Sequence, residues 1–118
     1  MKSTLFINTK APYSTQATKE SLDAALASAA FGVEVGMLFL GDGVFQIKKG
    51  QSPAPDALKR TAPIFQSLEL YDISKIFVCE EDLMERGLNS SDLLINASVI
   101  TNQEVSSVLA AFDHLLTF

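Results

Sequence analysis

The sequence has few of the residues that most often form disulfides, bind metals or carry acid–base chemistry. Its 118 residues include one cysteine, Cys79, one histidine, His114, and no tryptophan. A single cysteine excludes an internal disulfide framework. One cysteine and one histidine far apart in the chain also lack the clustering that a metal site requires, so we expect no bound metal ion.

Basic residues are also scarce. Nine lysines and arginines against fourteen acidic residues give a net charge of −5 at pH 7, with an isoelectric point near 4.7. Nucleic-acid-binding proteins usually carry a basic patch, but here neighbouring basic residues occur only at Lys48-Lys49 and Lys59-Arg60. We therefore expect no direct contact with nucleic acid.

Long apolar runs are missing as well. None approaches the roughly 20 residues that a membrane span requires. The apolar residues near the start give way to polar ones at Asn8, which is too early for the apolar region of a signal peptide. We expect a cytoplasmic protein that does not associate with membranes.

Apolar residues are nevertheless abundant for so short a chain. They make up 47% of it, and the mean hydropathy is +0.22. The length predicts a single domain over residues 1–118, and a domain of this size buries only about two-thirds of the surface of its unfolded chain. The excess of apolar residues over what such a domain can bury indicates either an unusually apolar small core or a permanent interface with other protein chains.

Predicted strands and helices alternate along the chain. Short apolar runs bounded by polar residues predict strands at residues 4–8, 33–40, 75–79, 97–100 and 113–118. A longer fourth strand that also includes residues 93–95 is an alternative. The alternation predicts an α/β fold, a three-layer α/β/α sandwich with a mainly parallel five-stranded sheet.

The helices are predicted from the spacing of apolar residues. The first has a stripe at the i, i+3, i+4, i+7 positions of a buried face, formed by Leu22, Ala25, Leu26 and Ala29. Gly32 is suited to end that helix. Two further helices are predicted at residues 63–71 and 80–86.

The last helix has the clearest start signal. Thr101-Asn102-Gln103-Glu104 matches a capping box, and the apolar face that follows consists of Val105, Val108, Leu109 and Phe112. In the final strand the period-two rule predicts one shared face for Phe112, His114, Leu116 and Phe118. We therefore interpret His114 as a hydrogen-bonded histidine of the core or of an interface.

Parallel sheets gather ligands and catalytic groups at the carboxyl ends of their strands. That edge is predicted to hold the loop at residues 9–15, the turn Gly41-Asp42-Gly43-Val44-Phe45, and Cys79. The turn lacks the third glycine of a dinucleotide fingerprint, since Gln46 occupies its place. The loop at residues 9–15 has no glycine that would let a phosphate approach the backbone. We therefore expect no nucleotide, flavin or other cofactor.

Cys79 is the one candidate nucleophile that the sequence singles out. It lies between a strand and a helix, where the helix dipole favours a thiolate. The three residues that follow, Glu80, Glu81 and Asp82, raise the pKa of a nearby thiol by repulsion. Arg86 is not preceded by the glycine-rich loop of a phosphatase-type cradle. The residues alone leave two interpretations open, an inert structural thiol and a reactive one.

Segments along the whole chain carry a resemblance to a known family. The most specific combination is the Asp42-Gly43-Val44-Phe45 turn with Tyr71-Asp72-Ile73 and Glu85-Arg86-Gly87-Leu88. Further matching segments are Ala11-Pro12-Tyr13, Glu20-Ser21-Leu22-Asp23-Ala24, Val78-Cys79 and Phe118. Together these segments resemble the TusC/DsrF family.

The resemblance implies a DsrE-like fold and a subunit of a TusBCD/DsrEFH-type sulfur-relay complex, rather than an enzyme on its own. The implied partners are TusD/DsrE-like and TusB/DsrH-like subunits in a dimer of heterotrimers, with a TusE-like acceptor. The implied process is persulfide transfer for 2-thiolation of the tRNA wobble uridine or, in the Dsr version, oxidation of stored sulfur. The main sulfur-carrying cysteine of such complexes belongs to the TusD/DsrE subunit. Cys79 is therefore either an accessory thiol or a second persulfide carrier.

Overall fold

The computed structural model describes residues 3–10, 17–47, 73, 75–93 and 97–118. The strands in these ranges are β1 (Ser3–Asn8), β2 (Glu34–Phe39), β3 (Lys75–Cys79), β4 (Ser98–Ile100) and β5 (His114–Thr117). The α-helices are α1 (Ala17–Ala30), α2 (Glu80–Glu85) and α3 (Asn102–Ala110). Two 3₁₀-helices span Gly41–Ile47 and Ser90–Asp92.

All five strands belong to one sheet with the order β4-β3-β2-β1-β5. Every neighbouring pair is parallel, and Phe6 of β1 lies between Met37 of β2 and Leu116 of β5. The chain steps from β1 to β4 in one direction and then returns across the sheet to β5. With right-handed crossovers, this reversal places α3 on the opposite face from α1 and α2. The predicted α/β sandwich with a five-stranded parallel sheet is confirmed.

The larger core cluster lies between the sheet and the helices α1 and α2. Strand side chains that are fully or almost fully buried alternate onto this face, as period two requires: Phe6, Val35, Met37, Phe39, Ile76 and Val78. The predicted stripe of α1 is confirmed, because Leu22 and Ala25 are buried and Leu26 and Ala29 pack against the same cluster. Leu83 anchors α2 to it.

The opposite face of the sheet packs against α3 in a smaller cluster. Its buried members are Leu5, Ile7, Leu38 and Ile100. The predicted apolar side of the last helix covers them with Val105, Val108, Leu109 and Phe112, each of which stays partly exposed. Gly36 makes room for this layer, since a Cβ there would lie 2.4 Å from Cζ of Phe112.

One prediction for the C-terminal segment is wrong, and a second is wrong in part. Phe112 packs in the α3-side cluster, whereas Phe118 packs on the opposite face and stacks on Phe6 with ring centroids 6.1 Å apart. The period-two rule fails at Phe112 because β5 begins only at His114. His114 is exposed, as is the rest of β5, because β5 forms an edge of the sheet. A core role for His114 is therefore excluded, and an interface role stays a prediction.

The segment predicted as a turn at residues 41–45 is instead the start of the 3₁₀-helix Gly41–Ile47. Val44 and Ile47, three residues apart, are both fully buried, which suits the three-residue repeat of this helix. Gly43 has the backbone oxygen of Asn8 only 1.9 Å from the position that a Cβ would occupy. The Gly-Asp-Gly sequence therefore allows close contact between this helix and the end of β1.

The other predicted boundaries agree with the structure to within one or two residues, which is the usual uncertainty at element ends. The predicted helix at residues 63–71 lies outside the described residues. So do residues 94–95 of the alternative fourth strand, and Leu93 precedes β4.

Candidate functional site

Cys79 lies where the sequence predicted, at the carboxyl end of a central strand. It is the last residue of β3 and the N-cap residue of α2, with extended backbone angles. The 3₁₀-helix Gly41–Ile47 follows the neighbouring strand β2, so the Gly-Asp-Gly segment and Cys79 meet at the same edge of the sheet. This edge is the candidate functional site.

The thiol of Cys79 is enclosed by the protein. The residue has 0% relative exposure, and Sγ donates a hydrogen bond to Oδ1 of Asn102 at 2.9 Å. Asn102 is the first residue of α3, so the thiol bridges the ends of two elements on the α3 side of the sheet. A donated S–H bond requires the protonated thiol, and this geometry therefore favours the neutral form.

The electrostatic surroundings favour the neutral thiol as well. Burial is the largest effect and raises the pKa of Cys79, because a thiolate loses its hydration there. The backbone N–H groups of Asp82 and Glu81 lower the pKa, while the carboxylates of the same two residues raise it. The net pKa is above the ordinary value for cysteine. Little thiolate therefore forms at neutral pH.

Glu81 connects α2 to the start of α3. Its two carboxylate oxygens accept hydrogen bonds from the backbone N–H of Asn102 at 3.0 and 3.2 Å. The predicted capping box is also present, because Thr101 accepts from the Glu104 N–H and Glu104 accepts from the Thr101 N–H. The N–H groups of Thr101 and Asn102 at the start of α3 are thus paired with carboxylates of the chain itself, directly beside Cys79.

A second connection joins α2 to the 3₁₀-helix Gly41–Ile47. Asp82 accepts a hydrogen bond from the Gly41 N–H at 2.8 Å. Arg86 donates from Nε to Oδ1 of Asp42 at 3.1 Å and from Nη1 to the backbone oxygen of Asp82 at 3.0 Å. We call these four residues, Gly41, Asp42, Asp82 and Arg86, the α2 clamp. The α2 clamp fixes α2, the helix that follows Cys79, against the 3₁₀-helix Gly41–Ile47.

The sequence did not predict either connection. Asn102 was recognised only as part of a capping box, and Arg86 only as part of a family segment. Their partners, Cys79 and Asp42, lie 23 and 44 residues away in the sequence. Such pairs depend on the order of strands in the sheet. One signal was available, because two of the three segments that carry the family resemblance most specifically, residues 42–45 and 85–88, contain Asp42 and Arg86 of the α2 clamp.

The described residues contain no group of three or more histidine, cysteine, aspartate or glutamate side chains that could hold a metal ion.

The described helices are also too short or too polar to cross a membrane. His114 lies on β5 at an edge of the sheet, whereas Cys79 ends β3. The structure therefore does not place His114 beside the thiol of Cys79.

Comparison with known proteins identifies the family. A profile of the DsrE/DsrF-like family matches residues 2–118. The chain belongs to this family. Among curated relatives of this DsrE/DsrF-like protein, a "Protein TusC homolog" from Vibrio vulnificus strain CMCP6 is 40% identical over 108 residues, 92% of each chain. TusC homologs from Vibrio parahaemolyticus and Pseudomonas aeruginosa are each 36% identical and cover 100% and 98% of both chains.

Solved structures support the fold. The crystal structure of the ychN protein from E. coli superimposes over 100% of both chains with a TM-score of 0.85 at 20% identity. A protein of unknown function from Methanobacterium thermoautotrophicum, MTH1491, gives a TM-score of 0.69 at 12% identity. At these identities the likeness shows the shared fold alone.

Proposed function

We propose that this protein is a non-catalytic, partner-binding subunit of a TusBCD/DsrEFH-type sulfur-relay complex in the cytoplasm. It supports persulfide transfer between other subunits, most directly for 2-thiolation of the tRNA wobble uridine. Its partners are TusD/DsrE-like and TusB/DsrH-like subunits, and a TusE-like protein accepts sulfur from the complex. The similarity to TusC homologs across nearly the whole chain supports this assignment.

The observation that carries the non-catalytic role is the state of Cys79. A sulfur carrier reacts through its thiolate, and the thiolate needs access to donor and acceptor. Cys79 is fully buried and donates a hydrogen bond to Asn102, and the pKa of its thiol is raised. These features suit a structural thiol that fixes β3 to α3.

The second candidate is a sulfurtransferase that uses Cys79 as its own persulfide carrier. The observation in its favour is the location of the thiol at the carboxyl end of β3 and at the start of a helix. Backbone N–H groups of α2 lower the pKa of the thiol there. This candidate requires that binding of a partner opens the contact with Asn102. A third use, as a DsrF subunit in sulfur oxidation, has the same structural requirements as the first.

Co-expression tests the proposed function. The chain is produced with TusD-like and TusB-like subunits from the same organism and examined by light scattering. We expect one species larger than any single chain that contains all three subunits. A stable monomer that binds neither partner contradicts the proposal.

A further inference from the structure

A cavity between α2 and β4 has no role in the site described above. Its volume is about 360 Å³. It lies on the α1/α2 side of the sheet, whereas Sγ of Cys79 points to α3 on the other side. Its lining consists of Glu80, Leu83, Met84, Leu88, Asn89 and Val99.

The cavity presents apolar side chains at its mouth. Leu83 and Leu88 are buried and form part of the core, whereas Met84 is 68% and Val99 36% exposed. Scattered exposed apolar residues are ordinary, but apolar residues that share one hollow indicate a binding surface. β4 is also an edge strand, and no other strand of the described residues pairs with its outer side.

The charged side chains that α2 contributes beside the cavity are acidic. α2 carries four carboxylates in six residues. Glu81 and Asp82 are hydrogen-bonded within the chain. Glu80 lines the cavity and is exposed, with no hydrogen bond or ion pair to any described residue.

The nearby basic side chain does not neutralise Glu80. Arg86 follows α2, and its guanidinium contacts Asp42 on the 3₁₀-helix after β2. The sheet order places β2 and β4 on opposite sides of β3. Among the described residues, therefore, no basic side chain neutralises Glu80 on the β4 side of α2.

We propose that this cavity is the docking surface for a segment of a partner subunit that presents an apolar side chain next to a lysine or arginine. The apolar side chain contacts Met84 and Val99, and the cation faces Glu80. Charge complementarity favours this occupant, since a partner with carboxylates or phosphates at the same place is repelled. The proposal rests on the proposed function for the source of the segment, namely another subunit of the complex.

The test measures assembly of the full chain with its co-expressed partner subunits. Met84→Ala removes the exposed apolar contact, and Glu80→Lys reverses the charge. Phe31→Ala is the matched control, because Phe31 is 89% exposed and lies beyond the end of α1, outside the cavity. We expect the first two variants to weaken binding of the partners by about fivefold or more each, and Phe31→Ala to leave it unchanged. Circular dichroism of each variant checks that α2 is retained.

A second measurement tests the chemistry of the occupant. A photo-crosslinking amino acid in place of Met84 is expected to capture a partner segment with a lysine or arginine beside an apolar residue. Capture of an acidic segment contradicts the proposal. Higher salt is expected to weaken wild-type binding more than that of Glu80→Gln, because screening acts on the charge pair.

The outcomes separate this inference from the proposed function. If the wild-type chain binds no partner subunit, the proposed function itself fails. If the wild-type chain assembles and both Met84→Ala and Glu80→Lys assemble equally well, the docking surface is wrong and the proposed function stands. An equal loss with Phe31→Ala and Met84→Ala also contradicts the assignment to this cavity.

Discussion

At the scale of single residues, the state of Cys79 decides which chemistry is open to the protein. A thiol at the start of a helix gains modest stabilisation of its charged form, about 0.3–1 kcal/mol for such dipole effects. Burial and the carboxylates of Glu81 and Asp82 act against it, and the net result is a raised pKa. The hydrogen bond from Cys79 to Asn102 also favours the neutral thiol, since it requires the proton on sulfur.

The raised pKa predicts a specific dependence of stability on pH. The folded-state pKa of Cys79 lies above its unfolded-state value, which is about 8.5 for free cysteine. The stability that this group contributes is therefore fully present below about pH 8.5. It is lost as the pH rises through the folded-state pKa. We therefore expect the free energy of unfolding to fall more steeply above about pH 8.5 for wild type than for Cys79→Ser, which lacks the thiol.

Alkylation by iodoacetamide provides the companion measurement. The native chain should react much more slowly than the urea-unfolded chain at neutral pH, because the thiol is buried and protonated. Glu81→Gln removes one repulsive charge but keeps an acceptor for the Asn102 N–H, so the thiol should titrate at a lower pH in this variant. Equal alkylation rates in native and unfolded chains contradict this description of Cys79.

At the scale of secondary-structure elements, the α2 clamp holds α2 against the 3₁₀-helix Gly41–Ile47. The Arg86 side chain is only 21% exposed, so its hydrogen bond to the backbone oxygen of Asp82 is partly shielded from water. We expect Arg86→Ala to lower the free energy of unfolding by about 1.5 kcal/mol, the lower end of the range for hydrogen bonds that involve a charged group. Chemical denaturation of the chain, alone or in its complex, measures the change.

Lys75→Ala provides the matched control for Arg86. Lys75 forms an ion pair with Glu34 at the other end of the sheet, and these side chains are 55% and 40% exposed. Exposed pairs contribute at most about 1 kcal/mol and often close to nothing. If the two alanine variants lower stability equally, the α2 clamp has no special role.

The elements themselves were largely predictable, and the reasons are local. Strands covered on both faces form nearly continuous apolar runs, as residues 33–40 show apart from Glu34. The capping box at Thr101 marks the start of α3. β5 was harder to predict, because an edge strand can be apolar without being buried. Leu115 and Leu116 are each 46% exposed, and nothing in their sequence distinguishes them from core residues.

The candidate site was predictable in position but not in its contacts. A strand followed by a helix-start signal places Cys79 at the functional edge of any parallel sheet. Asn102, which accepts the hydrogen bond of the thiol, belongs to the helix after the next strand. To predict this contact, one must know the order of the strands in the sheet. The same holds for Arg86 and Asp42, which come together only because β2 and β3 are neighbours.

At the scale of the whole molecule, the excess of apolar residues remains visible on the surface. Both edges of the sheet carry exposed apolar side chains, Leu115 and Leu116 on β5 and Val99 on β4. Such surfaces are suited to contacts with partner chains. These exposed side chains agree with the prediction of an interface with other chains. The thiol of Cys79, by contrast, is buried and is not part of the exposed surface.

The most direct test of this account is sulfur transfer in a strain whose only copy of this gene carries Cys79→Ser. The hydroxyl can still donate to Asn102, so the fold and the assembly should persist. We expect 2-thiolated tRNA to remain near the wild-type level, while a serine at the carrier cysteine of the TusD-like partner should abolish it. If Cys79→Ser abolishes thiolation although the complex still forms, Cys79 is a sulfur carrier and the non-catalytic role is wrong.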